Sequence, residues 1–180
     1  MSRPFHRSYW ALPGQLVAGC YPGHPDSARR DEKLAGLVRA GVTLVVNLME
    51  ADEKDHQGRA FAGYAESFLA LSHASGRTAR VERFAIRDQS VPTVEFMRTI
   101  LAAIDAEIAA GGAVFVHCWG GKGRTATVVG CYLRQYRGEA AEAVLEKLRA
   151  LTAHARESFW PTPQCAEQCQ FITDWNHAPA

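Results

Sequence analysis

The chain of 180 residues has no apolar run long enough to span a bilayer, and residues Met1 to Trp10 contain no apolar core of the export type. It has no basic cluster interleaved with aromatics and carries a formal net charge of only +1. Nothing in it therefore points to nucleic acid as a partner. Five cysteines, an odd number at irregular spacings, do not make a disulfide framework. They suit a reducing interior, and a cytoplasmic location is expected. The histidines are scattered, with no His/Cys/Asp spacing of a metal site. Neither a metal nor an organic cofactor is expected. Repeats, low-complexity tracts and interdomain linkers are also lacking. The expectation is one domain over residues 1–180, with its core at about 15–176, long enough to bury a sizeable interior.

What is present is an alternation of strand-like and helix-like segments. This predicts an α/β domain with a central, mostly parallel sheet flanked by helices. Segments 16–18, 42–48, 81–86 and 113–116 read as strands, because each is short, apolar or alternating, and rich in branched residues. Helices are expected over 31–40, 59–71 and 125–136. A further one places Met97, Ile100, Leu101, Ile104 and Ile108 on one face and ends at Gly111-Gly112. Ala141, Val144, Leu145, Leu148 and Leu151 mark another. Cys165, Cys169, Ile172 and Trp175 form an apolar stripe on the last helix, read as core. Segments 22–25 and 158–163 read as loops.

Between the strand at 113–116 and the helix at 125–136 lies His117-Cys118-Trp119-Gly120-Gly121-Lys122-Gly123-Arg124-Thr125. A phosphate dianion is held at least cost by a ring of backbone N–H groups completed by the positive end of a helix. Gly120, Gly121 and Gly123 let the chain wrap into such a ring, since without a Cβ they can take positive φ. Arg124 supplies a planar fork able to grip two oxygens at once, which a lysine cannot do. Cys118 then lies at the floor of an anion-binding turn, a setting that favours a thiolate nucleophile. Thr125 can hydrogen-bond the sulfur as it departs. The ATP-binding turn, which also has a Gly-Lys core, is excluded because Arg124 and Thr125, not Ser or Thr directly after the lysine, complete this loop.

A leaving alkoxide or phenoxide needs a proton from a separate loop. Asp88 follows the strand at 81–86 and precedes the helix opening at Pro92-Thr93, so it sits on a strand-to-helix loop like the nucleophile. Thr93 and Ser90 lie closer to that helix and can cap it, leaving Asp88 free. Glu50 and Asp52 are weaker candidates, read as loop charges or rim groups. His117 reads as a support for the loop.

The nonapeptide resembles the signature loop of the cysteine-based protein tyrosine phosphatases: His-Cys, two residues, Gly, two residues, Arg, then Ser or Thr. His117, Cys118, Gly121, Arg124 and Thr125 fill every fixed position. Trp119 and the pair Gly120-Gly121 are most similar to the small dual-specificity type, in particular the cyclin-dependent kinase-associated phosphatases. The wider match runs from about Leu16 to Trp175, and Ala126 departs from the glycine many relatives carry. The resemblance implies an Asp in an Ile-x-Asp loop at position 88, and a Gln in a C-terminal Glu-Gln-x-x-Phe-like segment that makes Gln168 a better water-positioning group than Gln164. The Trp160-Pro161 pair follows the nucleophile and lacks an adjacent Asp, so it is not the acid loop of the tyrosine-specific enzymes. The implied activity is phosphomonoester hydrolysis through a phosphocysteine. A phosphorylated protein is the first substrate reading. A phosphorylated small molecule or lipid headgroup is the second, since lipid-phosphate members resemble this loop in carrying a lysine at the position of Lys122. A third reading is a non-enzymatic phosphoprotein-binding module. Sulfur transfer of the rhodanese kind is disfavoured by His117 and Thr125.

Overall fold

The computed structural model describes residues 2–155 and 161–175. Its centre is a five-stranded sheet in the order β1-β2-β5-β3-β4, built from β1 (Ser8–Leu12), β2 (Leu16–Gly19), β3 (Val42–Asn47), β4 (Arg80–Arg83) and β5 (Ala113–His117). Only β1 runs antiparallel, joined to β2 by a tight turn at Pro13-Gly14 where the Gln15 N–H donates to the Leu12 carbonyl. The other three pairings, β2 with β5, β5 with β3 and β3 with β4, are parallel. The mostly parallel sheet predicted from the alternation is therefore found. β1 is an addition to that prediction, and it carries the core N-terminal of residue 15. Its run Ser8-Tyr9-Trp10-Ala11 is buried on both faces and so shows none of the alternation that marks a half-exposed strand.

The apolar side chains divide between the two faces of the sheet. Val17, Val45 and Phe115 meet Leu34, Leu37 and Phe68 from α1 (Ser27–Arg39) and α2 (Ala65–Ala74). On the opposite face Leu16, Leu44, Val114 and Val116 meet Ile100, Ile104, Val128, Val144 and Ile172. These come from α3 (Val94–Ala109), α4 (Arg124–Arg137), α5 (Ala141–Thr152) and α6 (Ala166–Asp174). Each such side chain, fully removed from water, contributes about 1.5–3 kcal/mol. α4 is the central helix: every residue from Arg124 to Leu133 is buried. Gly130 is what lets α6 lie so close to it, since a Cβ there would fall 2.7 Å from Ile172 Cδ1.

Two helix boundaries differ from the sequence reading for local reasons. α1 begins at Ser27, because the Asp26 carboxylate accepts from the Ala28 and Arg29 N–H groups and so caps it four residues earlier than expected. α2 occupies 65–74 and not 59–71. The segment before it is fixed as a loop by Asp55, which accepts from the N–H groups of Gln57 and Arg59 and pairs with the Arg59 guanidinium. α3 starts as anticipated, with Thr93 Oγ1 accepting from the Phe96 N–H at 3.2 Å. β4 ends at Arg83, yet its direction continues, as Phe84 and Ile86 donate to the carbonyls of Asn47 and Leu48. The strand read at 81–86 thus overlaps a real extended segment. Trp160 lies outside the described residues, so the Trp160-Pro161 reading has no structural counterpart.

Candidate active site

The parallel register puts the ends of three strands level, with His117 opposite both Gly19 and Asn47. Side chains just beyond these ends converge at the carboxyl edge of the sheet, where open α/β sheets bind ligands. The loop 118–123 starts there and runs into the N-terminus of α4, whose N-cap is Gly123. Thr125 Oγ1 donates to Cys118 Sγ at 3.0 Å, so the first turn of the helix touches Cys118 itself. Gly121 has φ +76, and a Cβ at that position would lie 2.5–2.6 Å from the backbone of Gly19 and Cys20. Only glycine fits this close approach between the loop and the end of β2.

Arg124 is 1% exposed and is held from three directions. Glu53 grips it with both oxygens, Oε2 at 2.7 Å from Nη1 and Oε1 at 2.8 Å from Nη2. The carbonyl of Ile86 accepts from Nη1 at 3.0 Å, and Asp88 Oδ1 stands 2.8 Å from Nη2. Nε is buried and has no hydrogen-bond partner among the described residues. An orphaned guanidinium donor is costly unless an acceptor completes it. Burial alone would lower the Arg124 pKa, but the Glu53 hydrogen bonds and the charges of Cys118, Glu53 and Asp88 raise it overall, so the cation is permanent.

His117 is completely buried. Its Nδ1 lies 3.2 Å from the Cys118 carbonyl and its Nε2 2.6 Å from the Tyr64 hydroxyl. A carbonyl can only accept, so Nδ1 carries the proton and Nε2 accepts from Tyr64. Burial pushes the imidazole pKa down to about 3, and the nearby Arg83 and Arg124 reinforce that shift. His117 is therefore neutral at physiological pH and links the start of the loop to Tyr64.

The sequence-selected residues fall into three groups. Cys118, Arg124, Thr125 and Asp88 are brought together by the contacts above. Gln168 belongs with them: it is fully buried, its Oε1 accepts from the Gln164 N–H at 3.1 Å, and its Nε2 donates to the Ser90 carbonyl at 3.3 Å. The same amide lies beside Gly123, where a Cβ would come within 3.0 Å of it. One glutamine thus ties the last helix, the Asp88 loop and the end of the 118–123 loop together. Lys122 lies behind the loop. Its side chain is 8% exposed, in a small cavity behind the loop formed with Arg7, Tyr9, Thr152 and His154, and burial lowers its pKa. Trp119 and Gly120 lie on the open side, Trp119 with His56 at 4.3 Å and Phe61 at 5.4 Å between ring centroids.

Two site residues escaped the sequence reading. Glu53 shares its acidic stretch with Glu50 and Asp52, and no spacing rule singles it out. Tyr64 was placed inside an expected helix, although it stands as the N-cap residue of α2. The aromatics Phe61 and Tyr64 just before α2 were the available signal, since both pack on Tyr21 across the sheet edge.

Residues 6–162 match the family model described as Swiss Army Knife protein, DSP-PTPase phosphatase domain. Human dual specificity phosphatase 28 is 29% identical over 156 residues, covering 86% of this chain and 77% of that protein. Among solved structures, Tk-PTP in its active form is similar with a TM-score of 0.68 at 22% identity, covering 94% of this chain and 95% of that one. A kinase associated phosphatase carrying a serine in place of its catalytic-site cysteine has a TM-score of 0.67 at 15% identity, with 96% and 93% covered. At these identities the structural likenesses establish the fold.

Proposed function

This chain belongs to the dual-specificity family of cysteine-based phosphatases, and we propose that it hydrolyses phosphorylated protein side chains through a covalent phosphocysteine on Cys118. The observation that carries this reading is the meeting of three groups from separate loops. Thr125 Oγ1 sits 3.0 Å from Cys118 Sγ, and Asp88 sits 2.8 Å from an Arg124 whose Nε awaits an acceptor.

In the first step Cys118 Sγ attacks phosphorus in line while the bond from phosphorus to the substrate oxygen breaks. Asp88 gives its proton to that oxygen, so the alcohol or phenol leaves neutral. Arg124 and the loop amides spread the charge of the equatorial oxygens. Phosphate competes with Asp88 for Arg124, which frees the Asp88 carboxylate from its ion pair as substrate seats and lets it take up from solvent the proton it gives to the leaving oxygen. In the second step a water attacks phosphorus, the S–P bond breaks, Asp88 accepts the water proton, and Thr125 hydrogen-bonds the departing thiolate. Gln168, fixed beside Gly123, is the group placed to orient that water. A cytoplasmic setting is part of this proposal, in keeping with five free cysteines.

The lipid-headgroup alternative drew on the lysine at position 122 as a second cation, and the seat of Lys122 in the cavity behind the loop with Arg7, Tyr9, Thr152 and His154 leaves that alternative less favoured. The test compares wild type with Cys118→Ser on an aryl phosphate, a panel of phosphopeptides and inositol phosphates. Wild type should turn over the aryl phosphate and phosphopeptides and, after rapid quench, yield a phosphorylated Cys118 peptide. The serine variant should be inactive while still binding phosphate or vanadate. Full activity of the serine variant would falsify the mechanism.

A further inference from the structure

A groove of about 1110 Å³ opens beside the catalytic loop, with Trp119 in its wall. This exceeds the size of an ordinary small-molecule pocket, roughly 300–1,000 Å³. One side is α1, which contributes Arg29, Lys33 and Arg39. These three fall on one side of the helix and span ten residues, or about 15 Å at 1.5 Å per residue. That length matches about four or five residues of extended chain.

The charges in this wall are unbalanced. Asp55 and Arg59 also line it, but they satisfy each other at 2.8 Å. Glu32 is then the one remaining carboxylate in the lining, against Arg7, Arg29, Lys33 and Arg39. Lys33 Nζ meets the carbonyls of Tyr21 and Gly23, both at 3.5 Å, and stands 6.0 Å from the centroid of the Phe5 ring, with no carboxylate paired to it among the described residues. Among the described residues, the ion pair of Arg29 is a distant, solvent-exposed contact with Asp26 at 3.8 Å. Arg7 reaches the catalytic loop itself, its Nη2 donating to the Gly120 carbonyl at 3.2 Å, while its Nε is buried without a partner among the described residues. In a chain of net charge +1, this concentration on one flank makes a local positive field that ends at the nucleophile loop.

We propose that the groove docks the acidic stretch of a protein substrate next to its phosphorylated residue, as an extended segment bearing Asp, Glu or a second phosphoryl group along α1. This rests on the phosphatase reading of the adjacent loop. The elongated row of cations, longer than a single ring-sized headgroup needs, is what favours a peptide occupant.

The experiment uses two synthetic phosphotyrosine peptides, one flanked by Asp and Glu and one with Asn and Gln in their place, together with an aryl phosphate and a soluble inositol polyphosphate. Wild type is compared with R29E/K33E/R39E for kcat/KM at low and moderate salt. The acidic peptide should be preferred by about tenfold at low salt, the gap should narrow as salt rises, and the charge reversals should abolish it. Aryl phosphate turnover should stay within about twofold, because none of the three residues touches the catalytic loop. Equal rates for the two peptides in wild type, or a gap that survives charge reversal, would overturn the proposal. A loss confined to the inositol polyphosphate would also overturn it and assign the groove to a headgroup. If the triple variant does not fold, Arg29→Glu alone, at a side chain 71% exposed, must narrow the gap. Fluorescence anisotropy of the same peptides on Cys118→Ser separates the two readings. Acidic-peptide preference there without any turnover by wild type would leave the groove standing and refute the phosphatase.

Discussion

Both carboxylate oxygens of Glu53 sit on the guanidinium of Arg124, at 2.7 and 2.8 Å, across 71 residues of chain. The pair fixes the plane of the fork, and the buried Nε has no hydrogen-bond partner among the described residues. Removing one member of a buried pair strands the other charge, at about 3–5 kcal/mol where nothing else compensates. Here the Leu48 and Ile86 carbonyls and Asp88 remain, so the loss is smaller. Glu53→Ala should therefore lower kcat/KM on an aryl phosphate by roughly 10–100-fold, with a fall in thermal stability. Glu53→Gln should recover part of both. Unchanged kinetics in Glu53→Ala, read from a saturation curve, would mean that Arg124 is positioned without it.

Asp88→Asn tests the acid. It should cost roughly 10²–10⁴ in turnover of an alkyl phosphate, and the loss should shrink as the leaving group improves. The amide cannot donate a catalytic proton, yet it can still stand near Arg124. A leaving-group series settles the matter: parallel lines for wild type and variant would send the search for the acid elsewhere, beginning with Asp52.

Acid should destabilise the fold through His117. Its folded pKa is depressed to about 3 by burial, against 6.5 in an exposed chain. Between those values the unfolded chain binds a proton that the folded one refuses. The contribution is thus fully present above the unfolded value and is lost as pH falls toward the folded one, at up to about 1.4 kcal/mol per pH unit. Denaturant melts between pH 7 and pH 4, both set for this test, should show that slope in wild type and a shallower one in His117→Gln. Identical slopes would show that other groups govern acid unfolding.

Two neighbouring glycines should respond in opposite ways. A methyl group at Gly121 meets the backbone of Gly19 and Cys20 at 2.5–2.6 Å and must adopt positive φ, whereas a Cβ at Gly120 has nothing within 4 Å. Gly121→Ala should abolish both turnover and phosphate binding, since the ring of amides is displaced, while Gly120→Ala should keep phosphate binding. Calorimetric titration with phosphate separates this outcome from that of Cys118→Ser, which loses turnover alone.

Lys122 is buried in the small cavity behind the loop. Lys122→Ala should change turnover of singly and multiply phosphorylated substrates to the same small extent and lower the melting temperature. A selective loss on inositol polyphosphates, measured at low and moderate salt, would restore Lys122 as a substrate-reading cation.

The sequence by itself determined whatever is local. Cys118, Arg124 and Thr125 are legible because a strand, a glycine-rich turn and a helix N-terminus in unbroken succession leave the chain few ways to fold. Asp88 is legible for the same reason, at the end of one extended segment and before a capped helix. The mostly parallel sheet follows from the alternation of periods. What only the tertiary structure decided are contacts between segments far apart in the chain. Which carboxylate of 50–53 meets Arg124 depends on the path of a loop fixed by β3, and Tyr64 reaches His117 only because Phe61 and Tyr64 are drawn onto Tyr21. Gln168 looks like a surface residue until Gly130 admits α6 against α4, and Lys122 looks exposed until the β1 edge and the end of α5 close over it. Burial is a property of the packed whole, so a side chain's charge, partners and role at such positions are set by neighbours that no local pattern names.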